Sequence, residues 1–343
     1  MSKILIFRFS ALGDVAMTVP VIYSLAISFP TLEITILSRA SFQPLFVNLP
    51  HNVKFISADF ESKYKGIFGL NKLFRELKSE NFDYVADFHN VLRTSYLTWL
   101  FKLNGISTAK IDKGRAEKKN LTRKNNKIFA PLKSNFIRYQ EVLAKLGFEF
   151  EVKFHSLFPL ESKDLKPIIL SKFASTNKKF VGIAPFAKHQ GKIYPIELQE
   201  EVIAHFAKDS RIQLFIFGGG KQEKLIVDAW IQKYPSVQSM IGKLKFNEEL
   251  LLINELDLMF SMDSANMHLA ALTNTKTLTL WGATHPFAGF VAWNQLPENI
   301  IELNLACRPC SVYGNKVCFR KDYACLNEIK PQHIISKIEQ FLF

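Results

Sequence analysis

The stretch LDLMFSMDSANMHLAALTNTKTLTLWGATHP, residues 256–286, decides the architecture. An apolar run over Leu256 to Ser261 stops at a polar turn, a helical pattern follows from Ala265 to Thr273, and a second apolar strand covers Thr277 to Leu280. Two strands joined through a helix cannot be a hairpin, so they are parallel neighbours in one sheet. Asp263 and Ser264 stand where the helix is capped, and the amides behind them, Ala265 included, form a site for an anion. A diphosphate prefers those amides to a carboxylate, which leaves Asp263 for sugar hydroxyls or a lysine. His268 lies one turn beyond Ser264 on the same helical face, where a histidine either packs into the core or meets a ligand. Gly282, Thr284 and Pro286 then form a polar loop at the same sheet edge, placed for a second ligand contact.

The same alternation extends outward in both directions. In the first half, strands are predicted at Ile4 to Phe9, Glu33 to Leu37, Lys54 to Ile56 and Tyr84 to Asp87. Helices are predicted at about Val15 to Ser28, Gly66 to Ser79, Arg93 to Leu103 and Asn135 to Leu146, with 110–127 irregular. FPLESKDLKP, residues 158–167, reads as a linker. A second series has strands at Phe180 to Ala184, Gln213 to Phe217, Leu256 to Ser261 and Thr277 to Leu280. Its helices lie near Ile196 to Lys208, Gln222 to Lys233, Asn247 to Asn254 and Ala265 to Thr273. A chain of 343 residues suits two such α/β domains. Doubly wound sheets bind ligands beyond the carboxyl ends of their strands, so the expected ligand place is a cleft between the domains.

Three other turns carry candidate chemistry. RFSALGDVAM, residues 8–17, has Gly13 alone where a dinucleotide fingerprint would have three glycines. Asp14 is there either a helix cap or a carboxylate aimed outward as a general base. In GIAPFAKHQGKIYP, Lys188 and Lys192 follow a strand, where ammonium groups are either solvated or neutralise a diphosphate. In LFIFGGGKQEK, Gly218, Gly219 and Gly220 clear space against the backbone, and Glu223 either caps the next helix or accepts hydrogen bonds from a ribose diol.

Composition narrows the class. Hydrophobic residues at 48% and charged ones at 22% describe a folded protein, and no apolar run reaches the roughly 18 to 20 residues of a membrane span. With no signal-peptide pattern at the N-terminus, a cytoplasmic location is expected. The net charge of +13 is concentrated, with eleven Lys/Arg in 101–140 against Asp112 and Glu117. Such a run attracts polyanions or is simply solvated. Nucleic-acid binding would interleave aromatic residues for stacking, and residues 105–128 contain none. Cys307, Cys310, Cys318 and Cys325 suit a structural zinc by ligand type, yet lack a second C-x2-C knuckle. Reduced thiols and disulfides stay open beside that reading.

Taken in order, FSALGDVAMTVP (9–20), DFHNVLRTS (87–95), PFAKHQGKIYP (185–195), FGGGKQE (217–223), DSANMHLAALT (263–273) and LWGATHP (280–286) resemble the motifs of glycosyltransferase family 9, the ADP-heptose:lipopolysaccharide heptosyltransferases. The resemblance implies a GT-B fold of two Rossmann-like domains facing a central cleft: an acceptor domain over 1–158, a nucleotide-sugar domain over 159–325, and a helix in 326–343 crossing back to the first domain. It implies an inverting transfer that requires no metal or other cofactor. Asp14 matches the family's base, Lys192 its phosphate-binding lysine, Glu223 its ribose contact, and Asp263, Ser264 and His268 its donor site; Lys188, Gly219, Ala265, Gly282 and Thr284 join the donor side by position. The implied partners are an ADP-heptose-like donor and a phosphorylated, lipid-linked saccharide at the cytoplasmic face of the inner membrane. Arg8, Ser10, Gly13, Arg93, Lys118 and Lys119 are the expected acceptor contacts, with the 110–127 run holding the acceptor's anionic groups at an acidic membrane surface. Phe186, Ser264, Ala265, Asn266 and His285 depart from the family pattern, which leaves another nucleotide sugar and another glycan as the alternative.

Overall fold

A computed structural model of the chain describes residues 1–158 and 178–343. The linker expected over 158–167 falls, beyond Phe158, outside the described residues, and so does the start of the second domain expected at 159. The chain divides into two compact units, residues 1–115 with 133–157, and residues 116–132 with 158–343. Each is a parallel, doubly wound sheet, the fold class GT-B that the motif order implies.

The first unit holds strands β1 (Lys3–Phe7), β2 (Glu33–Ser38), β3 (Val53–Ser57), β4 (Tyr84–Asp87) and β5 (Ser107–Lys110), in the order β3-β2-β1-β4-β5. Its helices are α1 (Leu12–Ala16), α2 (Val19–Ser28), α3 (Gly66–Lys78), α4 (Leu92–Leu103) and α6 (Asn135–Ala144), while α5 (Arg115–Leu121) leads out of it. The predicted helix over 15–28 is broken into α1 and α2. Pro20 stands in the first turn of α2, where its missing N–H costs nothing, and Thr18 donates its hydroxyl back to the Val15 carbonyl at 2.7 Å. α3 forms because Leu70, Leu73, Phe74 and Leu77 recur on one face, and they bury against Phe7, Phe9 and Phe101.

The second unit has β6 (Lys179–Ala184), β7 (Ile212–Ile216), β8 (Gln238–Ser239), β9 (Leu258–Met262), β10 (Thr277–Trp281) and β11 (Ile300–Glu302), in the order β11-β10-β9-β6-β7-β8. Its helices are α7 (Ile196–Ala207), α8 (Lys221–Lys233), α9 (Phe246–Asn254), α10 (Ala265–Leu272), α11 (Ala324–Asn327) and α12 (Pro331–Leu342). Strands β5, β8 and β11 are too short to show a period, and the sequence does not announce them.

The structure differs from two of these expectations. The basic stretch is not irregular throughout, since 115–121 is helical, and residues 116–132 belong to the second unit. Leu121 and the stem of Lys118 are buried, and the Lys127 ammonium is held by the carbonyls of Cys307, Arg308 and Pro309 at 2.9, 2.7 and 3.0 Å. The closing helix α12 belongs to the second unit instead of crossing to the first. Its Ile334, Ile335, Ile338 and Leu342 fill that unit's own core, and Glu339 meets His205 of α7 at 3.0 Å.

In both sheets the strand order reverses at one point, between β1 and β4 and between β6 and β9. Helices leave in opposite directions there and open a crevice beyond the strand ends.

Candidate active site

The second unit's crevice gathers the strongest motif. β6 and β9 pair with Ala184 opposite Ser261, so the loops after both strands emerge side by side. The Lys192 ammonium, on the first loop, lies 2.9 Å from the Asp263 carboxylate on the second. Thr284, from the loop after β10, donates its hydroxyl to the same carboxylate oxygen at 2.7 Å. Ser264 is the N-cap of α10 in extended backbone, and its hydroxyl turns to Ser261 at 3.2 Å instead of capping, so it does not occupy the first-turn amides. A lysine carries three N–H donors, and Asp263 uses one while setting the direction of the others. The result is a cationic group beside a helix N-terminus, a combination suited to a diphosphate.

The cysteine-bearing loop props this arrangement. Arg308 is buried and donates to the carbonyls of Gly282, Trp281, Thr284 and Leu303 at 2.5, 3.2, 2.9 and 2.5 Å, with Glu302 at 2.8 Å. It ties down the loop that carries Thr284. Gly314 accepts from the Gly191 amide at 3.2 Å and adopts φ +74; a Cβ on it would stand 2.6 Å from Cγ of Lys192. The four thiols are free, and burial raises the pKa of Cys310 and pushes Cys325 up to about 12. Among the described residues no three metal-ligating side chains stand together closely enough to hold an ion.

The first unit's crevice carries Asp14. Register places Phe7 beside Asp87, so Arg8 leaves β1 next to Phe88 and donates to its carbonyl at 2.8 Å. Its other terminal nitrogen lies 2.6 Å from Asp14. The Asp14 carboxylate is partly exposed, with the Asn135 amide at 3.5 Å and the Ala11 N–H at 3.4 Å. It is therefore both a loose helix cap and an oriented, reachable carboxylate. Burial opposes the Arg8 charge, but Tyr139, Asp14 and Asp87 outweigh it and raise the guanidinium pKa. His89 lies 3.4 Å from the Ser10 hydroxyl, and burial, with Arg8 and Lys113 nearby, pushes its pKa down to about 3. The imidazole is neutral at physiological pH. Burial, then Arg8, also lowers Lys113, and burial raises Asp87 although the amides of His89 and Asn90 donate to it at 2.8 and 2.7 Å.

The expected residues fare unequally. Lys192, Asp263, Ser264, Ala265 and Thr284 come together. His268 is buried in α10, and Lys188 is exposed on the β6 loop. Gly282 packs against Leu326 and Gly191 and shapes the loop. Glu223 accepts from the Gly219 amide at 2.7 Å and closes the glycine turn as a cap. On the acceptor side, Arg8, Ser10, Gly13 and Arg93 share the first unit, where Arg93 lies over the Phe60 ring. Lys118 and Lys119 belong to the second unit, and the buried Lys118 has its ammonium over the Phe290 ring at 4.2 Å. Asp87, His89, Lys113, Asn135 and Arg308 were not singled out from sequence. DFHNVLRTS contains the first two, but only the pairing of β1 with β4 brings them to Asp14's surroundings.

The profile of Glycosyltransferase family 9 (heptosyltransferase) matches residues 70–318. Lipooligosaccharide heptosyltransferase 2 of Campylobacter jejuni is 24% identical over 345 residues, covering 99% of this chain and 98% of that protein. The crystal structure of the family 9 glycosyl transferase from Veillonella parvula superposes with a TM-score of 0.75 at 19% identity, over 99% of this chain and 97% of the other. E. coli ADP-heptose LPS heptosyltransferase II gives 0.73 at 17% identity, over 99% and 98%.

Proposed function

Because this chain belongs to glycosyltransferase family 9, the heptosyltransferases, we propose that it moves a heptose from ADP-heptose to a lipopolysaccharide core acceptor, by one inverting displacement that requires no metal ion. Lys192 and Asp263 carry the proposal: a lysine held at 2.9 Å by a carboxylate, beside the N-terminus of α10, is a receptor for a departing diphosphate.

In the displacement, the acceptor oxygen attacks the anomeric carbon from the face opposite the diphosphate. A C–O bond forms, the bond to the diphosphate oxygen breaks and takes its electron pair with it, and the acceptor proton passes to the Asp14 carboxylate. Arg8 keeps that carboxylate oriented, while Lys192 and the first amides of α10 meet the charge growing on the leaving group. The lipid-linked acceptor makes this a peripheral enzyme of the inner membrane's cytoplasmic face. Among the described residues no helix is long and apolar enough to cross a membrane.

The test is ADP release from a panel of nucleotide sugars with de-acylated core acceptor, for the native chain and Asp14→Asn. ADP-heptose turnover that falls by about a hundredfold or more in the variant supports the assignment. Unchanged turnover rejects Asp14 as base, and turnover only with another nucleotide sugar rejects the donor.

A further inference from the structure

We propose that the paired outer faces of α3 and α4 form the surface by which the first unit lies on an anionic lipid bilayer. The proposal deepens the lipid-linked acceptor reading above. Leu92, Tyr96, Trp99 and Leu103 recur at helical spacing and fall along one line of α4. Leu92 is 93% exposed, Trp99 53% and Leu103 64%. A folded soluble surface scatters such side chains singly, whereas a contiguous line marks a contact surface.

α3 continues the face. The Tyr96 hydroxyl meets Asn71 at 3.0 Å and Lys78 donates to Asn104 at 2.7 Å, so the two helices lie side by side along their length. Phe68, one turn before Asn71, is 86% exposed and stands at the same end as Leu92. Lys72 and Arg75 follow Phe68 on the exposed side of α3, and Lys65 and Lys102 flank the two ends. Between residues 62 and 79 the one acidic residue is Glu76, already engaged by Lys63 and the Tyr64 hydroxyl, and 91–104 contains none. Apolar and aromatic side chains ringed by an excess of cations match an acidic headgroup layer over acyl chains. α4 also begins five residues beyond the end of β4, at the sheet edge that carries Asp14. A face there holds a lipid-linked acceptor beside its base. The 110–127 run, with Lys118 and Lys127 committed inside the second unit, is not the main contact.

The test is co-flotation at low salt with vesicles of phosphatidylethanolamine and phosphatidylglycerol, against phosphatidylcholine alone. Binding to the anionic vesicles, weakened by salt, with a blue shift of Trp99 emission that is lost in Trp99→Phe, is the expected result. Lys72→Glu with Arg75→Glu, and separately Leu92→Ser with Phe68→Ser, should each weaken binding by about tenfold or more. Arg123→Glu with Lys124→Glu should leave it unchanged. These positions are exposed, and unchanged circular dichroism confirms folding; the charge reversals stand as the test if the apolar pair unfolds. No binding at low salt, binding indifferent to the face variants, or a face that pairs two copies of the chain and leaves vesicles unbound overturns the proposal. The vesicles contain no sugar acceptor, so binding is read independently of turnover. The face variants should keep full turnover on de-acylated acceptor, and loss of the donor reading would leave the vesicle result standing.

Discussion

Arg8 and Asp14 form an ion pair at 2.6 Å in which the arginine is buried and the carboxylate is not. Because Arg8 also binds the Phe88 carbonyl at 2.8 Å, the pair is anchored to two adjacent strands at the point where the sheet reverses. In the proposed transfer, Arg8 acts on the acceptor by holding Asp14 in place. Arg8→Gln should lower kcat by about ten- to a hundredfold with little change in acceptor KM, since orientation is lost and binding is kept. Arg8→Lys should recover only part, because one ammonium cannot reproduce a two-pronged donor. Steady-state kinetics against acceptor concentration decide it, and a rise in KM alone would return Arg8 to the role of anion contact.

Lys192→Ala removes the charge that the proposed transfer sets against its leaving diphosphate. A loss of about a hundred- to a thousandfold in kcat is expected, by analogy with removal of one preorganised donor. Asp263→Asn should retain the fold through Thr284 but release the lysine, weakening ADP binding; calorimetric titration with ADP measures it.

Gly314→Ala tests the prop behind that lysine. Its φ of +74 and the 2.6 Å approach to Lys192 mean that a methyl group strains the backbone and displaces the side chain. A stability loss of about 1 kcal/mol, by thermal unfolding, should accompany weaker ADP binding.

Arg308→Met leaves four carbonyls and Glu302 without their donor. Removing one partner of a buried charged network costs about 3–5 kcal/mol, so urea unfolding should shift strongly toward lower concentration. The variant should also lose turnover through the Thr284 loop.

His89 makes stability depend on acid. Its folded pKa of about 3 lies below the unfolded value near 6.5, so the unfolded chain binds the proton more readily and stability falls as pH drops through that window. Between pH 7 and 5 the loss is about 1–2 kcal/mol. His89→Gln should flatten that slope in unfolding curves recorded at each pH.

Local patterning was enough to read most strands and helices, the doubling of the Rossmann unit, and the turns that carry Asp14, Lys192 and Asp263, because hydrophobic period, caps and glycine turns are properties of a few consecutive residues. Which strands become neighbours is set by crossovers longer than any local period. Arg8 and Phe88, or Lys192 and Asp263, are some seventy to eighty positions apart and meet only because β1 lies beside β4 and β6 beside β9. Charge counting likewise cannot separate a solvated lysine from Lys118 over Phe290 or Lys127 among carbonyls. Those fates depend on burial, and burial belongs to the assembled sheet and its loops.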